Sequence, residues 1–274
     1  MLSSAWLVPA GTVGGPASSF PFAFRDGLIW VSVRVPPARP PLNFLLDSGA
    51  GVSALSSAAA RHLGISLTDS VLVHGVHTQS VGYWTTPLVA TVGAVPLRQR
   101  FLVVDLEGFS RRCHCAVDGL LGADFFRHRV VQLDFEAEQV RLLARAAPTA
   151  TRTVLPLASR NGALLLPIRV NGGRPQWARL DTGCASALEW VRDGPPPPGV
   201  VPRVSIGLAE ITIPQTRSTV ELGGALFEHV PTGLHAMRIF PGESGLLGSA
   251  LLSRFTVTVD APAGRLILDR RRPR

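Results

Sequence analysis

The sequence predicts an all-β protein with few short helices, built from two similar halves. Its 274 residues include 27 glycines and 23 prolines, a content typical of many turns between short strands. Short apolar and β-branched runs recur along the chain, whereas long stretches with the 3.6-residue period of an amphipathic helix do not. The composition is 46% hydrophobic and 17% charged, which excludes disorder over most of the chain and permits a sizeable core.

The first half begins with a turn and a strand at Arg25–Val35. The segment Pro36–Pro41 then predicts a turn, because proline presets the backbone for turns and has no N–H to donate to a neighbouring strand. The apolar segment Leu42–Leu46 predicts a buried strand that runs directly into Asp47. The alanine-rich segment Ser57–Gly64 then predicts a short helix.

The second half repeats this order. A turn and strand at Arg160–Val170 precede a glycine-rich and proline-containing turn at Asn171–Pro175. The strand Gln176–Leu180 then runs into Asp181. Where the first half has its short helix, the second has Pro195–Pro198, and proline blocks a helix there.

The spacing between the two copies is nearly constant. Asp47 and Asp181 are 134 residues apart, and the two G-L-L-G motifs at Gly119–Gly122 and Gly245–Gly248 are 126 apart. The second half is therefore eight residues shorter between its acid and its G-L-L-G motif. Each motif is followed by two predicted strands, at Val130–Phe135 and Gln139–Leu143 and at Phe255–Asp260 and Arg265–Leu268.

The repeat predicts an N-terminal tail at 1–24, a first lobe at 25–147 and a second lobe at 148–274. The junction at Ala146–Thr153 contains a proline and several threonines, a composition typical of a linker.

The two repeated acids are the candidate functional residues. Burying a carboxyl costs free energy unless it is hydrogen-bonded or paired, and the glycine two residues after Asp47 and after Asp181 lets backbone N–H groups approach it. If the halves pack about a pseudo-two-fold axis, the two carboxyls face each other and hold one proton between them. Such a pair supplies a general base and a general acid in one place, which suits activation of a water without a metal or a covalent intermediate.

These motifs resemble the active-site loops of the retropepsin-like and pepsin-like aspartic peptidases, in a bilobed single-chain bacterial form. Asp47–Ala50 and Asp181–Cys184 fit the D-[ST]-G-[small] pattern of that clan. Leu120–Gly122 and Leu246–Gly248 fit its hydrophobic-hydrophobic-glycine element, which packs beneath each loop. The resemblance covers nearly the whole chain.

The resemblance implies two pseudo-symmetric acid-protease-like β-barrel lobes with an active-site cleft between them. It also implies that Asp47 and Asp181 are the catalytic pair. Hydroxyl groups of the next residues would link the lobes, and the glycines that follow would donate backbone N–H groups near the carboxylates. These supporting residues are Ser48, Gly49, Thr182 and Gly183.

The same resemblance implies a β-hairpin flap that closes over the substrate. The best match in the first half is the segment His74–Trp84, in which His74, Gly75 and Tyr83 are the expected substrate-binding residues. The corresponding segment of the second half is Val204–Arg217, which has no recognisable tip.

The net charge of +8 raises the question of a nucleic-acid partner. All 27 basic residues are arginine, and they are scattered except at Arg111-Arg112 and in the tail Arg270–Arg274. Aromatic residues do not alternate with them as a single-strand binding surface requires. We therefore expect no nucleic-acid partner.

Metal, disulfide and membrane signals are weak. The run Cys113-His114-Cys115 lacks the spacing and the second ligand pair of a zinc site, so it is expected to be a loop. No apolar run approaches the ~18 residues of a membrane span. The segment Met1–Phe24 lacks the positive region of a secretory signal, and the compartment is left open.

We therefore expect a monomeric aspartic endopeptidase that binds an extended protein or peptide segment between its lobes and needs no cofactor. Two alternatives stay open. One is a catalytically silent peptide-binding module with the same two-lobe fold. The other is an arginine-driven binder of anionic polymers.

Overall fold

The computed structural model describes residues 18–146, 152–192, 194–206 and 210–270. Most of the predicted N-terminal tail, the predicted lobe boundary at 147/148 and the last four residues of the arginine-rich tail lie outside these ranges. The described residues form 24 strands and four short helices, so the predicted all-β class is confirmed.

The elements of the first half are β1 Ser18–Pro21, β2 Ala23–Arg25, β3 Leu28–Arg34, β4 Leu42–Leu46, β5 Ala54–Ser56, α1 Ser57–His62, β6 Leu67–Gly75, β7 Thr78–Thr85, β8 Leu88–Val92, β9 Val95–Gln99, β10 Leu102–Val104, α2 Glu107–Arg112, β11 Gly119–Leu121, α3 Ala123–Phe126, β12 Val130–Asp134 and β13 Gln139–Leu143. The elements of the second half are β14 Thr153–Pro156, β15 Ala158–Arg160, β16 Ala163–Val170, β17 Gln176–Asp181, β18 Leu188–Val191, β19 Val201–Ile206, β20 Glu210–Leu222, β21 Ala225–His235, β22 Gly245–Gly248, α4 Ser249–Leu252, β23 Phe255–Asp260 and β24 Arg265–Arg270.

The strands form three sheets. A ten-stranded sheet belongs to the first half and has the order β6-β7-β10-β5-β11-β4-β3-β8-β9, with β2 paired to β3. An eight-stranded sheet belongs to the second half and has the order β15-β16-β17-β22-β18-β21-β20-β19. The third sheet has six strands in the order β1-β13-β12-β23-β24-β14, so both halves contribute to it.

The six-stranded sheet joins the halves through β12 and β23. These strands are antiparallel, and Leu133 of β12 lies opposite Val257 of β23. Both side chains are fully buried in a core that takes residues from both halves. Burial of apolar surface across this sheet therefore stabilises both lobes at once.

The short helix and the proline segment behave as the sequence predicts. Ser56 begins α1 as its N-cap, because its side-chain oxygen accepts a hydrogen bond from the N–H of Ala59 at 3.0 Å. Ala59 and Ala60 are its buried face. Pro195–Pro198 in the second half contains no helix.

The end of the predicted tail is strand rather than tail. Ser18–Pro21 pairs with β13 at the edge of the six-stranded sheet, and Ala23–Arg25 pairs with β3. Phe20 and Phe22 are buried, so apolar burial holds residues 18–24 in the first half.

Two long hairpins extend from the two large sheets. The first is formed by β6 and β7 and the second by β19 and β20. The second hairpin contains the segment Val204–Arg217, which the sequence predicts as the counterpart of the flap. Residues 207–209 of this segment lie outside the described ranges. None of the helices in the described ranges has the length and apolar character needed to cross a lipid bilayer.

Candidate active site

A cavity of about 520 Å³ lies between the two halves. Asp47 and Asp181 both line it, together with residues of both lobes. Its volume is in the usual range for a ligand-binding cleft. The two acids singled out by the repeat therefore share one cleft.

Asp47 lies at the end of β4, where the chain leaves the sheet. Its backbone N–H donates to the carbonyl oxygen of Leu121 in the G-L-L-G motif at 2.9 Å. Its Oδ1 accepts hydrogen bonds from the N–H groups of Gly49 at 2.9 Å and Ala50 at 3.1 Å. The loop therefore holds the carboxyl from its own backbone.

Asp181 has the equivalent place at the end of β17. Its Oδ1 accepts a hydrogen bond from the N–H of Gly183 at 3.0 Å. It lies beside Gly248 in the parallel pairing of β17 with β22. Each G-L-L-G motif thus supports one acid-bearing strand end.

The two carboxyl groups lie within hydrogen-bonding reach of each other. Burial raises the pKa of Asp47, and bonds from the N–H groups of Ala50 and Gly49 only partly oppose it. Burial also raises the pKa of Asp181 well above its ordinary value, and the charge of Asp47 raises it further. Because two like charges at this distance repel, the favoured state of the pair has one proton shared between them.

Two glycines permit this approach. A Cβ atom added to Gly49 would overlap the carboxyl group of Asp181, and one added to Gly183 would overlap the carboxyl group of Asp47. Each glycine therefore lies against the acid of the opposite lobe, and any side chain there would separate the carboxyls.

Hydroxyl groups cross between the two loops. Ser48 Oγ donates to the carbonyl oxygen of Leu180 at 2.8 Å, and Thr182 Oγ1 donates to that of Leu46 at 2.6 Å. The same oxygens accept from backbone N–H groups, Thr182 Oγ1 from Ser48 at 2.9 Å and Ser48 Oγ from Thr182 at 3.1 Å. Four buried hydrogen bonds thus fix the distance between the loops.

The first hairpin covers part of the cavity. His74 and Gly75, at the end of β6, line the cavity together with Val76. The turn consists of Val76 and His77, and His77 has a φ of +53°. Two of the three predicted flap residues therefore lie at the cavity.

Tyr83 is the exception, because it does not line the cavity and its side chain is 42% exposed. A Cβ atom at the preceding Gly82 would contact Val73 and Leu102, which do line the cavity. Successive side chains of a strand point to opposite faces. Tyr83 therefore points away from the cleft.

The tip of the hairpin contacts the second half. His77 Nε2 lies 2.9 Å from Nδ1 of the buried His235, and His235 Nε2 lies 2.9 Å from Oε2 of Glu189. Oε1 of Glu189 accepts from Ser186 at 2.6 Å and also bonds Arg203. Burial alone would raise the pKa of Glu189, but the bonds from His235, Arg203 and Ser186 lower it. Glu189 is thus a buried anion behind the hairpin tip.

A second buried ion pair lies beside the acids. The guanidinium of Arg179 makes two hydrogen bonds to the carboxylate of Glu243, and both residues are buried. Sequence analysis did not identify Arg179, Glu243, Glu189 or His235. The available signal was Arg179 itself, a charged residue inside a strand that is apolar in the other copy.

Comparison with known proteins finds a family model that matches most of the first half. Residues 31–125 match the family model for aspartyl proteases. This part of the chain resembles an aspartyl protease domain. The aspartyl protease match runs from β3 to α3, so it includes the Asp47 loop, the first hairpin and the first G-L-L-G motif. The predicted bacterial origin stays a prediction.

A curated relative also matches part of the chain. The retrovirus-related Pol polyprotein from transposon 412 of Drosophila melanogaster is 28% identical to this chain over 131 residues, which is 47% of the chain. The chain spans about a tenth of the length of that relative, since the match covers 10% of it.

The solved structures extend the likeness to both halves. The crystal structure of the aspartic proteinase from Irpex lacteus covers 92% of this chain and 97% of its own, with a TM-score of 0.60 and 14% identity. This likeness concerns the fold, and it confirms the predicted acid-protease-like architecture. Family match and fold together support aspartic protease activity in general.

Proposed function

We propose that the protein is an aspartic endopeptidase in which Asp47 and Asp181 activate a water for attack on a peptide carbonyl. The observation that carries the proposal is the close approach of these two buried carboxyls in one cleft, where each lies against the glycine of the opposite loop. A pair that holds one proton supplies a base and an acid to the same substrate.

The ionised carboxylate accepts a proton from the water as the water oxygen bonds to the carbonyl carbon. The protonated carboxyl donates its hydrogen bond, and then its proton, to the carbonyl oxygen. A tetrahedral gem-diol forms, and the pair again carries one proton in total. The protonated carboxyl then gives its proton to the amide nitrogen while the ionised one takes a proton from a gem-diol hydroxyl. The C–N bond breaks, an acid and an amine are released, and the pair again holds one proton.

The supporting residues act on the geometry of the pair. The hydroxyls of Ser48 and Thr182 hold the two loops at a fixed separation. The N–H groups of Gly49 and Gly183 each donate to one oxygen, Oδ1, of the acid in their own loop, which fixes the orientation of both carboxyls toward the water and the substrate. Such preorganised groups need no rearrangement during the reaction.

The substrate that fits is an extended segment of a peptide or protein. The cavity lies between two sheets and under the first hairpin, where His74 and Gly75 line it. An extended peptide can pair its backbone with the strands of such a hairpin. Because one chain supplies both loops, we propose that it acts as a monomer. We also propose that it needs no cofactor, since the pair itself supplies both the base and the acid.

The test is cleavage of a peptide library between acid and neutral pH by the wild type, Asp47→Asn and Asp181→Asn. We expect each substitution to reduce kcat by at least about 100-fold, since loss of one carboxyl removes either the base or the acid. Asp26→Asn is the matched control. Asp26 also lines the cavity, and asparagine tolerates its positive φ of +54°, so this variant should retain activity.

Undiminished cleavage by a folded Asp47→Asn or Asp181→Asn variant would refute the pair. If the wild type binds library peptides and cleaves none, the protein is a peptide-binding module instead. Strongly salt-dependent binding to a polyanion without cleavage would favour the anionic-polymer binder.

A further inference from the structure

Arg179 breaks the repeat at a position close to the acids. It lies two residues before Asp181, in β17, and its side chain is buried. The matching position in the first half, two residues before Asp47, is Leu45. Arg179 and Leu45 both pair with the first leucine of their G-L-L-G motif. At equivalent backbone positions, one lobe thus places a hydrocarbon and the other a cation.

The guanidinium of Arg179 is held by several contacts. Its Nε donates to Glu243 Oε2 at 2.8 Å, and its Nη2 donates to Glu243 Oε1 at 2.6 Å. The ring of Phe240 packs on its face, with the Cζ atom 3.7 Å from the ring centroid. This bidentate and stacked geometry specifies arginine and is not available to lysine.

The third guanidinium nitrogen of Arg179 donates a hydrogen bond to the first lobe. Nη1 of Arg179 donates to the carbonyl oxygen of Gly49 at 2.7 Å. Gly49 is also the residue whose N–H donates to Asp47 Oδ1. Arg179 therefore connects the second lobe to the backbone segment that holds the carboxyl of the first.

The charge of Arg179 also acts on both acids. It opposes the rise that burial causes in the pKa of Asp47 and of Asp181. Two further ionisable groups adjoin this arrangement, Glu243, which balances Arg179, and the thiol of Cys184, on which Asp181 acts. The lining of the cavity also contains ionisable side chains such as Asp26, His74, Arg112 and Glu189. Arg179 is thus a cation that acts on both members of the pair.

We propose that Arg179 is a positioning residue for the catalytic pair and that Glu243 positions Arg179. The guanidinium fixes the Gly49 segment across the lobes and sets the pH range in which the pair carries one proton. This inference rests on the proposed function and deepens it.

The test uses Arg179→Leu, which gives the second lobe the residue of the first, and Glu243→Gln. Without the cation, the acid and base limbs of the kcat/KM profile should both move to higher pH by about one unit or more. With Glu243 neutral, the cation is no longer balanced, and both limbs should move to lower pH. A purely structural ion pair predicts loss of activity in both variants with unmoved limbs.

Two further variants separate charge from geometry and from folding. Arg179→Lys keeps the charge but cannot keep the bidentate and Gly49 bonds together, so kcat should fall at least about tenfold while the pH limbs stay close to those of the wild type. The double variant Arg179→Leu/Glu243→Gln leaves no unpaired buried charge. It should fold and show limbs at higher pH, as Arg179→Leu does.

A second readout does not depend on turnover. Carbon-detected NMR titration of the aspartate carboxyls should show the same opposite displacements in Arg179→Leu and Glu243→Gln. If the wild type cleaves nothing, the proposed function fails while this titration still tests the link between Arg179 and the pair. Displacements in the same direction, or none in either variant, would overturn the inference.

Discussion

Single atoms decide the geometry around the two acids, and Gly49 is the sharpest case. An alanine Cβ at this position would overlap the carboxyl of Asp181. We expect Gly49→Ala to lower kcat/KM by at least about 100-fold, since displacement of a reacting group by an ångström costs that much. Peptide cleavage under the conditions used for the wild type measures it.

Gly51, in the same loop, is the matched control. A Cβ atom there meets nothing closer than 3.8 Å, which is ordinary van der Waals contact. Gly51→Ala should therefore keep near wild-type activity. Equal losses in the two alanine variants would mean that the loop, and not contact with Asp181, is the cause.

At the scale of residues, local motifs could be predicted from the sequence, whereas a contact between distant residues could not. The two D-[ST]-G motifs were found because each is local and repeated. The Arg179–Glu243 pair joins residues 64 positions apart, and no local pattern links them. Arg179 is unusual in the sequence because it is a charged residue in a largely apolar strand. Its partner Glu243 could not be predicted, because the contact depends on how the loop after β21 folds back.

At the scale of elements, a contact at the tip of the first hairpin ties it to the second half. His77 bonds His235 at 2.9 Å, and a neutral hydrogen bond contributes about 1 kcal/mol. We expect His77→Ala to increase hydrogen exchange of the hairpin backbone by about fivefold. His74→Ala is the control, because its imidazole bonds only Gln79 of the same hairpin at 3.3 Å. Equal exchange in both variants would contradict the role of the tip.

The contact also predicts a pH dependence. Burial lowers the pKa of His77, and the charge of His235 lowers it further, so the closed hairpin favours the neutral imidazole. The anion Glu189 and the cation Arg203 lie behind His235. The contribution of His77 to closure is therefore complete above its free pKa of about 6.5 and is lost as the pH falls through the lowered value. Hydrogen exchange measured from pH 7.5 to 5, corrected for the intrinsic rate, should show this loss in the wild type and not in His77→Ala.

The hairpin itself could be predicted from sequence, but its tip could not. Its turn uses His77 at positive φ and has no glycine or asparagine at the two central positions, the usual signal for such a turn. The direction in which the Tyr83 side chain points could not be predicted from the sequence for a related reason. It depends on strand register, and a shift of one residue reverses every side chain.

At the scale of the whole molecule, the six-stranded sheet contains strands of both lobes, and we expect it to make them one folding unit. Leu133 is fully buried where β12 meets β23. Leu133→Ala should lower the free energy of unfolding by about 2–5 kcal/mol. Because the sheet contains strands of both halves, we expect both halves to lose stability together. Hydrogen exchange under increasing denaturant, followed separately in the ten-stranded and the eight-stranded sheet, measures this.

Val154→Ala is the control for this substitution. Val154 is in the same sheet but is 51% exposed, so its change should cost less than about 0.5 kcal/mol. Loss of protection in the ten-stranded sheet alone would show that the halves unfold separately. The sequence predicted both lobes from their repeat but not this sheet, because strands paired across the two copies leave no mark in either copy alone.

The difference between Leu45 and Arg179 has a consequence for how such an enzyme can be assembled. In a homodimer of identical subunits, every position near the axis occurs twice, so the site would contain two guanidinium groups or none. Joining both copies in one polypeptide removes that constraint. Each member of the proton-sharing pair can then acquire its own electrostatic surroundings by mutation of a single codon.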